Sequence, residues 1–312
     1  MHILIIAIDN KIPVINYGGT ERVIWSLGKE LYKLKHKVTF LVKKDSYCDF
    51  ADVIFYDSTI DLKSQIPDGI DVIHSHSVLN LDALNIPNVF TLHGNIFSEF
   101  EMPNNTICIS KNHATRNNRS TYVYNGLDWD EFEPFSIDTK RNYFHFLGKA
   151  TWKVKNLTDA AKIAVKTKTE LRVLGGEKWN YENLKRGGYW KAHPLITYHG
   201  MVDNNTKMKI MSASKGLIFP VKWHEPFGLA IIESMYAGCP VFGSTYGSLP
   251  ELINEDVGYV SENVDDLINA AKNMSFSPKT CRDYAVEKFN SKTMALNYLS
   301  LYERVINGET LT

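Results

Sequence analysis

Residues 217–236 read Leu-Ile-Phe-Pro-Val-Lys-Trp-His-Glu-Pro-Phe-Gly-Leu-Ala-Ile-Ile-Glu-Ser-Met-Tyr. The apolar residues 217–219 predict a short buried strand, and the apolar spacing of 229–236 predicts a helix. A Pro-Phe-Gly turn separates the two, so the first backbone N–H groups of the helix have no partner within it. A helix N-terminus attracts anions, and Gly228 lets a phosphate come close to the backbone. The stretch therefore predicts a strand, a turn and a helix with an anion site at the turn.

Two carboxylates flank this anion site. Glu225 lies in the turn, and Glu233 lies eight residues further along, about two helical turns away. A carboxylate can accept two hydrogen bonds from a vicinal diol such as a ribose. The alternative interpretation is a capped surface helix that carries an ordinary exposed glutamate.

The same alternation of short apolar runs and helical patterns continues in both directions. Nearly continuous apolar strands are typical of parallel sheets covered on both faces, so we predict two doubly wound α/β domains. The polar residues 136–142 resemble a linker, which gives domains 1–135 and 136–294, and we expect the last helix, 295–312, to pack back toward the N-terminal domain. The predicted strands are 3–8, 38–42, 53–55, 72–74, 89–92, 107–109, 143–147, 171–174, 196–198, 217–219 and 241–242, and the predicted helices are 20–34, 157–165, 229–236, 264–273, 278–289 and 292–306.

Composition narrows the possible classes of protein. The 312 residues fit two domains of about 150 residues each. The formal net charge is zero, so no overall positive field argues for a nucleic-acid partner. Four cysteines without a Cys-x-x-Cys pair indicate free thiols in a reducing compartment.

The location of the protein is predicted from its apolar and basic segments. The opening apolar run, 2–8, is too short to span a bilayer, and no other run reaches about 18 residues, so we expect a cytoplasmic protein. A basic face on the first helix could touch anionic lipid at the inner face of the membrane, and the alternative is a solvated helix face. The basic residues are Arg22, Lys29, Lys33, Lys35 and Lys37.

A lysine-rich loop follows the predicted strand 143–147 and leads into the next helix. Lys149, Lys153 and Lys155 lie beside the N-terminus of that helix. Cations next to the positive end of a helix dipole can clamp a diphosphate. The alternative is a solvated loop.

Two segments of the first half also follow strands. Gly18 and Gly19 precede the first helix and let the backbone pass close to a ligand, although Thr20 could simply cap the helix. They do not form a G-x-G-x-x-G motif, so they give little support to dinucleotide binding. His93 and Gly94 end a strand, where an imidazole would face the cleft and could bind a sugar hydroxyl; a structural histidine is the alternative.

We predict no metal site. The alternating His74 and His76 have suitable spacing for a metal, but no acidic or cysteine partner lies nearby in the sequence. Asp128 and Asp130 form a D-x-D pair of the kind that holds a divalent cation on a diphosphate. The pair follows an Asn-Gly turn, which favours a structural turn.

Taken in order, these segments resemble the retaining glycosyltransferases of family 4, which have the GT-B fold of two Rossmann-like domains facing across a cleft. The hallmark of that family is a glutamate, seven residues and a second glutamate, which here are Glu225 and Glu233. The similarity covers nearly the whole chain. The other matching segments are Gly18-Gly19, Thr91-Leu92-His93-Gly94, Ile109-Ser110-Lys111, Asn125-Gly126-Leu127-Asp128, Gly200 and Pro250-Glu251-Leu252-Ile253.

The resemblance implies a role for each matching residue. The N-terminal domain would lie on the acceptor side, and the C-terminal domain would bind the nucleotide sugar. Where the family usually has arginine this chain has Lys149, which keeps the charge and loses the bidentate fork. The implied catalytic residues are Glu225, His93, Lys149 and Lys155; the implied donor-binding residues are Gly18, Gly19, Lys149, Lys155, Phe227, Gly228, Leu229 and Glu233; and base recognition would use the backbone around Gly175, Gly176, His199 and Gly200.

The resemblance also implies an activity. A sugar would move from a nucleotide-diphosphate sugar, with a UDP-sugar favoured, to an acceptor hydroxyl with retention of the anomeric configuration. No cofactor or metal is expected, and the acceptor could be a polysaccharide, a lipid-linked sugar or a small molecule. The alternatives are another GT-B enzyme, such as a nucleotide-sugar epimerase or a phosphorylase, and a non-catalytic nucleotide-sugar-binding module.

Overall fold

The computed structural model describes residues 1–14, 18–96, 101–176 and 188–311 of the chain. The chain divides into two compact units. Unit 1 contains Met1–Trp129 together with the chain from Phe289 onward, and unit 2 is Asp130–Lys288. The boundaries expected from the sequence, after residues 135 and 294, each lie six residues further along than those of the units.

Unit 1 is built on a six-stranded parallel sheet. Its strand order is β3-β2-β1-β4-β5-β6, which is the order of a doubly wound dinucleotide-binding fold. Connections change direction between β1 and β4, and open α/β sheets bind ligands at such a switch point. The strands are β1 (His2–Ala7), β2 (Lys37–Val42), β3 (Asp52–Phe55), β4 (Val72–Ser75), β5 (Asn88–Leu92) and β6 (Thr106–Cys108).

Unit 2 repeats this design. Its six parallel strands have the order β12-β11-β10-β7-β8-β9, so the switch point lies between β7 and β10. The loops that follow these two strands contain the lysine-rich segment and the first glutamate described above. The strands are β7 (Tyr143–Leu147), β8 (Leu171–Leu174), β9 (Ile196–Tyr198), β10 (Ser214–Phe219), β11 (Val241–Gly243) and β12 (Gly258–Val260).

Helices flank both sheets. Short 3₁₀ turns cover Leu62–Gln65, Asp82–Leu84, Trp129–Glu131 and Lys153–Lys155. The α-helices are α1 (Gly19–Lys33), α2 (Lys111–Arg116), α3 (Leu157–Lys166), α4 (Gly188–Lys191), α5 (Asn204–Ser212), α6 (Leu229–Tyr236), α7 (Leu249–Leu252), α8 (Val264–Asn273), α9 (Pro278–Lys288) and α10 (Ser291–Ile306).

Apolar residues bury the faces where helices meet the sheets. In α1 the buried residues Val23, Leu27 and Leu31 recur at helical spacing, as the sequence predicts. In unit 2, Phe146 of β7 and Ile163 of α3 belong to one buried cluster. Burial of such side chains supplies most of the stabilisation of each unit.

Several predicted elements have the observed bounds, including β7, β8, α6 and α8. The helix α5 and the strand β12 were not predicted. Helix α5 is polar, and its start is marked by Asp203, whose Oδ1 accepts a hydrogen bond from the N–H of Thr206 at 2.9 Å. Strand β12 has three residues and begins with a glycine, so it lacks a strand pattern long enough to recognise.

The C-terminal helix α10 belongs to unit 1 and is fastened to it by buried hydroxyl groups. The His74 ring accepts or donates hydrogen bonds at both nitrogens, to Tyr302 Oη at 2.6 Å and to Thr91 Oγ1 at 2.7 Å. Thr91 Oγ1 also lies 3.0 Å from Tyr298 Oη. His74 therefore joins β4, β5 and α10 through a fully buried polar network.

In the parts of the chain that the structure describes, no helix has the length and apolar character needed to cross a membrane. Part of the basic face of α1 is engaged within unit 1. Lys29 Nζ and Lys33 Nζ lie 3.0 and 3.1 Å from Asp128 Oδ2. Asp128, one half of the D-x-D pair, is thus held in an ion-paired turn.

We expect the free energy of unfolding to fall as the pH drops from 7, with His74 as one contributor. Burial lowers the pKa of His74 from 6.5 to about 3, so the folded protein keeps this ring neutral where the unfolded chain protonates it. The contribution is complete above pH 6.5 and is lost by about 1.4 kcal/mol per pH unit below it. Urea unfolding at pH 7 and pH 5 measures the change.

The variant His74→Gln isolates this contribution. Between pH 7 and pH 5 its free energy of unfolding should fall by about 2 kcal/mol less than that of the wild type, because one proton is no longer taken up on unfolding. The same fall in both proteins would show that His74 does not titrate as described.

Candidate active site

The carboxylate of Glu225 lies buried in the loop after β10. Its Oε2 accepts hydrogen bonds from Lys155 Nζ at 2.6 Å and from Trp223 Nε1 at 2.7 Å. Lys155 Nζ also lies 4.7 Å from the centroid of the Trp223 ring. Only 7% of Glu225 is exposed, so the charge of the carboxylate is balanced by the lysine rather than by bulk water.

The helix α6 begins beside this carboxylate without a side-chain cap. Its N-cap, Gly228, has φ +91° and no side-chain hydrogen bond. A Cβ at Gly228 would lie 2.9 Å from Ile231 Cδ1 and 3.3 Å from Glu225 Cγ, so both the dihedral angle and the space favour glycine. No side chain therefore caps the start of α6, the end of a helix at which an anion is favourable.

The loop after β11 supports the backbone of Glu225 from the other side. A Cβ at Gly247, where φ is +68°, would lie 2.3 Å from both the N and the O of Glu225. The N–H of Ser248 donates to Glu225 O at 3.0 Å, and Ser248 Oγ donates to Phe227 O at 2.6 Å. Sequence reasoning missed Gly247, and its only signal is a Tyr-Gly-Ser turn after a short apolar run.

The lysine-rich loop after β7 is bonded to the loop after β10. Asn156 caps α3, and its Nδ2 donates to Pro220 O at 2.7 Å. The N–H of Lys222 donates to Val154 O at 2.7 Å. These bonds bring Lys155 to Glu225 at the switch point of unit 2. Lys149 occupies a different place, with its Nζ 5.0 Å from the centroid of the Trp152 ring.

Glycines at the ends of three neighbouring strands let the backbones pack closely. The N–H of Gly175 donates to Gly200 O at 2.8 Å, and a Cβ at Gly175 would lie 2.5 Å from Gly148 O. A Cβ at Gly176 would lie 2.3 Å from Ala150 Cβ. His199, the residue before Gly200, donates its N–H to Val173 O at 3.0 Å. The predicted base-binding residues thus lie along the carboxyl ends of β8 and β9.

Glu233 is the fifth residue of α6, about one turn into the helix, and is also buried. Its Oε1 accepts a hydrogen bond from Lys207 Nζ of α5 at 2.6 Å. Sequence reasoning did not identify Lys207, because α5 was not predicted. The two glutamates of the motif are therefore paired with two different lysines, Lys155 and Lys207.

Unit 1 places His93 beside a second histidine. His76 Nδ1 and His93 Nε2 lie 2.7 Å apart, so one proton is shared in a hydrogen bond between the rings. Burial lowers the pKa of His93 to about 4 and that of His76 well below 6.5. Both rings are neutral at pH 7, and His76 Nε2 has no hydrogen-bond partner among the described residues.

The glycine pair of unit 1 lies at the start of α1. Gly18 is the N-cap and Thr20 does not cap the helix. A Cβ at Gly18 would lie 2.5 Å from Glu21 Oε2, and Glu21 Oε1 accepts a hydrogen bond from Asn10 Nδ2 at 3.0 Å. Tyr17, which precedes the pair, lies outside the described residues. Ligand roles for Gly18, Gly19 and His93 stay predictions from the family resemblance.

The described residues contain no group of three or more histidine, cysteine, aspartate or glutamate side chains that could hold a metal ion. His74 and His76 are instead engaged with hydroxyl groups and with His93, respectively. The groups that the structure brings together after β7 and β10 are lysines, glutamates and a helix N-terminus.

Comparison with protein families finds a match over about half of the chain. The family described as "Glycosyl transferases group 1" matches residues 128–287, which is 160 of the 312 residues. The matched region corresponds closely to unit 2. That unit contains the lysine-rich loop, the glycines at the ends of β7, β8 and β9, and both glutamates.

Several similar curated proteins come from bacteria. An uncharacterized 41.2 kDa protein in the cps region of Klebsiella pneumoniae is 28% identical over 35% of this chain and 32% of its own length. The O-antigen chain mannosyltransferase B of Escherichia coli is 29% identical over 37% of this chain and 30% of its own length. The N-acetyl-alpha-D-glucosaminyl L-malate synthase of Bacillus anthracis is 26% identical over 50% of this chain and 44% of its own length. The chain thus spans less than half the length of each of these relatives.

Similar solved structures match the whole chain. AviGT4, a glycosyltransferase involved in avilamycin A biosynthesis, has a TM-score of 0.82 at 18% identity and covers 100% of this chain and 99% of its own. The sucrose-phosphate synthase of Thermosynechococcus elongatus has a TM-score of 0.71 at 17% identity, with 99% and 100% covered. At these identities the likeness shows a shared fold, and it confirms the predicted GT-B class with two Rossmann-like domains.

We expect Gly247→Ala to destabilise the protein and to displace Glu225. Gly69 is the matched control, because its φ of +73° is similar to the +68° of Gly247 but nothing lies within 4 Å of an added Cβ. Both substitutions should lower the free energy of unfolding by about 1–2 kcal/mol, because alanine disfavours the left-handed backbone conformation. Gly247→Ala should lower it by about 1–3 kcal/mol more, because its Cβ overlaps the backbone of Glu225. Urea unfolding measures the difference, and tryptophan emission reports the loss of the Trp223 bond. Equal costs at both glycines would contradict the close packing against Glu225.

Proposed function

The chain belongs to the family of glycosyl transferases group 1, and we propose that it moves a sugar from a nucleotide-diphosphate sugar to an acceptor hydroxyl with retention of the anomeric configuration. We further propose that its Glu225 and Glu233 are the two glutamates of the Glu-x7-Glu motif of retaining family 4 enzymes. The observation that carries the proposal is the buried salt bridge between Lys155 and Glu225, formed at the switch point of unit 2 and beside the open N-terminus of α6.

The positive groups around this salt bridge suit a leaving diphosphate. Lys155, Lys149 and the first N–H groups of α6 would stabilise the negative charge that grows on the departing oxygen. Glu225 would accept hydrogen bonds from hydroxyls of the transferred sugar, and the backbone N–H groups of Phe227, Gly228 and Leu229 would donate hydrogen bonds to its oxygens. These cations and dipoles could do the work that a divalent ion does elsewhere, so we expect transfer without a metal or other cofactor.

Retention follows from a substitution on one face of the sugar. The bond between the anomeric carbon and the diphosphate oxygen breaks, and a bond from the acceptor oxygen forms on the same face. The acceptor proton passes to the departing diphosphate oxygen, so no enzymic carboxylate is needed as a nucleophile. Exclusion of water from the site would limit hydrolysis of the donor.

A UDP-sugar is the favoured donor. One structural neighbour, the Anabaena protein HepE, was solved in complex with UDP and glucose, and it has a TM-score of 0.68 at 15% identity. Another, starch synthase IV of Arabidopsis thaliana, was solved bound to ADP. Recognition of the base would use the backbone along Gly175, Gly176, His199 and Gly200. Backbone contacts of this kind leave no side-chain pattern from which the identity of the base could be predicted.

The acceptor is proposed to belong to polysaccharide or glycolipid synthesis. The relatives include an O-antigen chain mannosyltransferase and proteins from cps regions. The relative named N-acetyl-alpha-D-glucosaminyl L-malate synthase makes a small-molecule acceptor the second possibility. Peripheral contact with anionic lipid through Lys35 and Lys37, two exposed lysines that follow α1, would fit a lipid-linked acceptor.

We expect Glu225→Gln to abolish sugar transfer while the protein stays folded. The amide keeps the size of the side chain but loses the charge that holds Lys155 and orients the sugar. The assay incubates the protein with labelled UDP-, GDP- and ADP-sugars and a sugar acceptor, and NMR then determines the anomeric configuration of the product. Glu255→Gln, which alters an exposed glutamate of unit 2, is the control and should transfer normally.

Four results would contradict the proposal. An active Glu225→Gln variant would remove Glu225 from the chemistry. An inverted product would exclude the retaining mechanism. Bound nucleotide without turnover for any acceptor would favour a non-catalytic module, and an epimerised donor would favour a different GT-B enzyme.

We expect Lys149→Arg to bind a nucleoside diphosphate about three- to tenfold more tightly than the wild type, and Lys149→Met to bind it more weakly. Arginine adds a second, parallel hydrogen bond to phosphate oxygens. Calorimetric titration with UDP measures the dissociation constants, and Lys272→Arg, on the exposed face of α8, is the control. Unchanged affinity in both Lys149 variants would mean that Lys149 does not contact the diphosphate.

A further inference from the structure

The buried lysine Lys207 has no part in the activity proposed so far. Its Nζ lies 2.6 Å from Glu233 Oε1, and the two side chains are 10% and 8% exposed. Lys207 is on α5, directly before β10, whereas Glu233 is on α6, after it. The contact therefore ties together the two helices that flank the central strand of unit 2 along the sequence.

The local structure of α5 fixes where Lys207 can lie. Asp203 caps the helix by accepting a hydrogen bond from the N–H of Thr206 at 2.9 Å. The N–H of Lys207 donates to Asp203 O at 3.0 Å, so its side chain leaves from the first full turn. Its neighbours Met208 and Met211 are buried, which orients this face of α5 toward the interior.

A buried salt bridge of this kind adds little to the stability of a folded protein by itself. Removing both charges from water costs several kcal/mol per ion, and a well-packed apolar pair of similar size is often equally stable. The salt bridge has a clear use, however, if the carboxylate must stay in one place. A buried glutamate without a cation nearby would be free to turn toward water.

We propose that Lys207 is a positioning residue of the donor site, which holds the Glu233 carboxylate in one orientation so that Glu233 can accept hydrogen bonds from the ribose hydroxyls of the nucleotide. The salt bridge uses Oε1, and the carboxylate has a second oxygen, Oε2, for the ribose. This inference rests on the proposed function, because it gives Glu233 a nucleotide to bind. Lys207 acts through Glu233, whereas Lys155 is expected to meet the diphosphate itself.

Calorimetric titration of the full chain tests the inference, with whichever of UDP, GDP and ADP binds the wild type most tightly. Lys207→Met should raise the dissociation constant by about tenfold or more and raise the KM for the donor more than it lowers kcat. Lys207→Arg keeps the cation and should bind within about threefold of the wild type. Lys209→Met changes an exposed lysine of the same helix and should bind as the wild type does.

A double-mutant cycle separates positioning from simple structural support. If Lys207 acts through Glu233, then Glu233→Gln and the double variant Lys207→Met with Glu233→Gln should bind the nucleotide equally weakly. This comparison also covers the case in which Lys207→Met alone folds poorly, because the double variant buries no unpaired charge. Losses that add up, or a Lys207→Met protein with a lower Tm but normal affinity, would overturn the inference.

The inference and the proposed function fail in different ways. If the wild type binds none of the three nucleoside diphosphates, the proposed function is wrong, and the inference falls with it. If the wild type binds one of them and Lys207→Met binds it equally tightly, only the role of Lys207 is wrong.

Discussion

Two buried carboxylates, Glu225 and Glu233, set the central constraint on unit 2. Neither is exposed by more than 7%, and a buried carboxylate is tolerated only with a cation and hydrogen bonds close by. The constraint is met by Lys155 from the loop after β7 and by Lys207 from α5, each at 2.6 Å. The helix α6 therefore has one ion pair just before its first turn and a second about one turn into the helix.

The sheet topology makes these pairs possible. Because β7 and β10 are neighbours at the switch point, the loops that follow them meet although they are far apart in sequence. Gly247 and Gly228 then let other backbones approach Glu225. In unit 1 the same strand order places His76 and His93 side by side after β4 and β5, which yields a neutral histidine pair rather than a salt bridge.

The sequence allowed prediction of the local features and not of the long-range pairs. The strand β7, the helix α6 and the turn at Gly228 are encoded by contiguous apolar and turn residues, and their bounds follow from periodicity. Lys207 was missed because α5 is polar and because its partner Glu233 lies 26 residues further along. The His76–His93 contact depends on the pairing of β4 with β5, which no local pattern specifies. The ligand roles came from the family resemblance, since composition and spacing left both a surface helix and a solvated loop open.

The proposed function requires that the protein binds a nucleoside diphosphate. A thermal-shift panel with UDP, GDP, ADP and NAD⁺ at millimolar concentration tests this binding most directly. A ligand at 100 times its dissociation constant stabilises the folded protein by about 2.7 kcal/mol, which is readily measured. We expect stabilisation by one nucleoside diphosphate, UDP first, and loss of that stabilisation in Glu233→Ala. Stabilisation by NAD⁺ alone would contradict it and would favour a dinucleotide-dependent enzyme on the same fold.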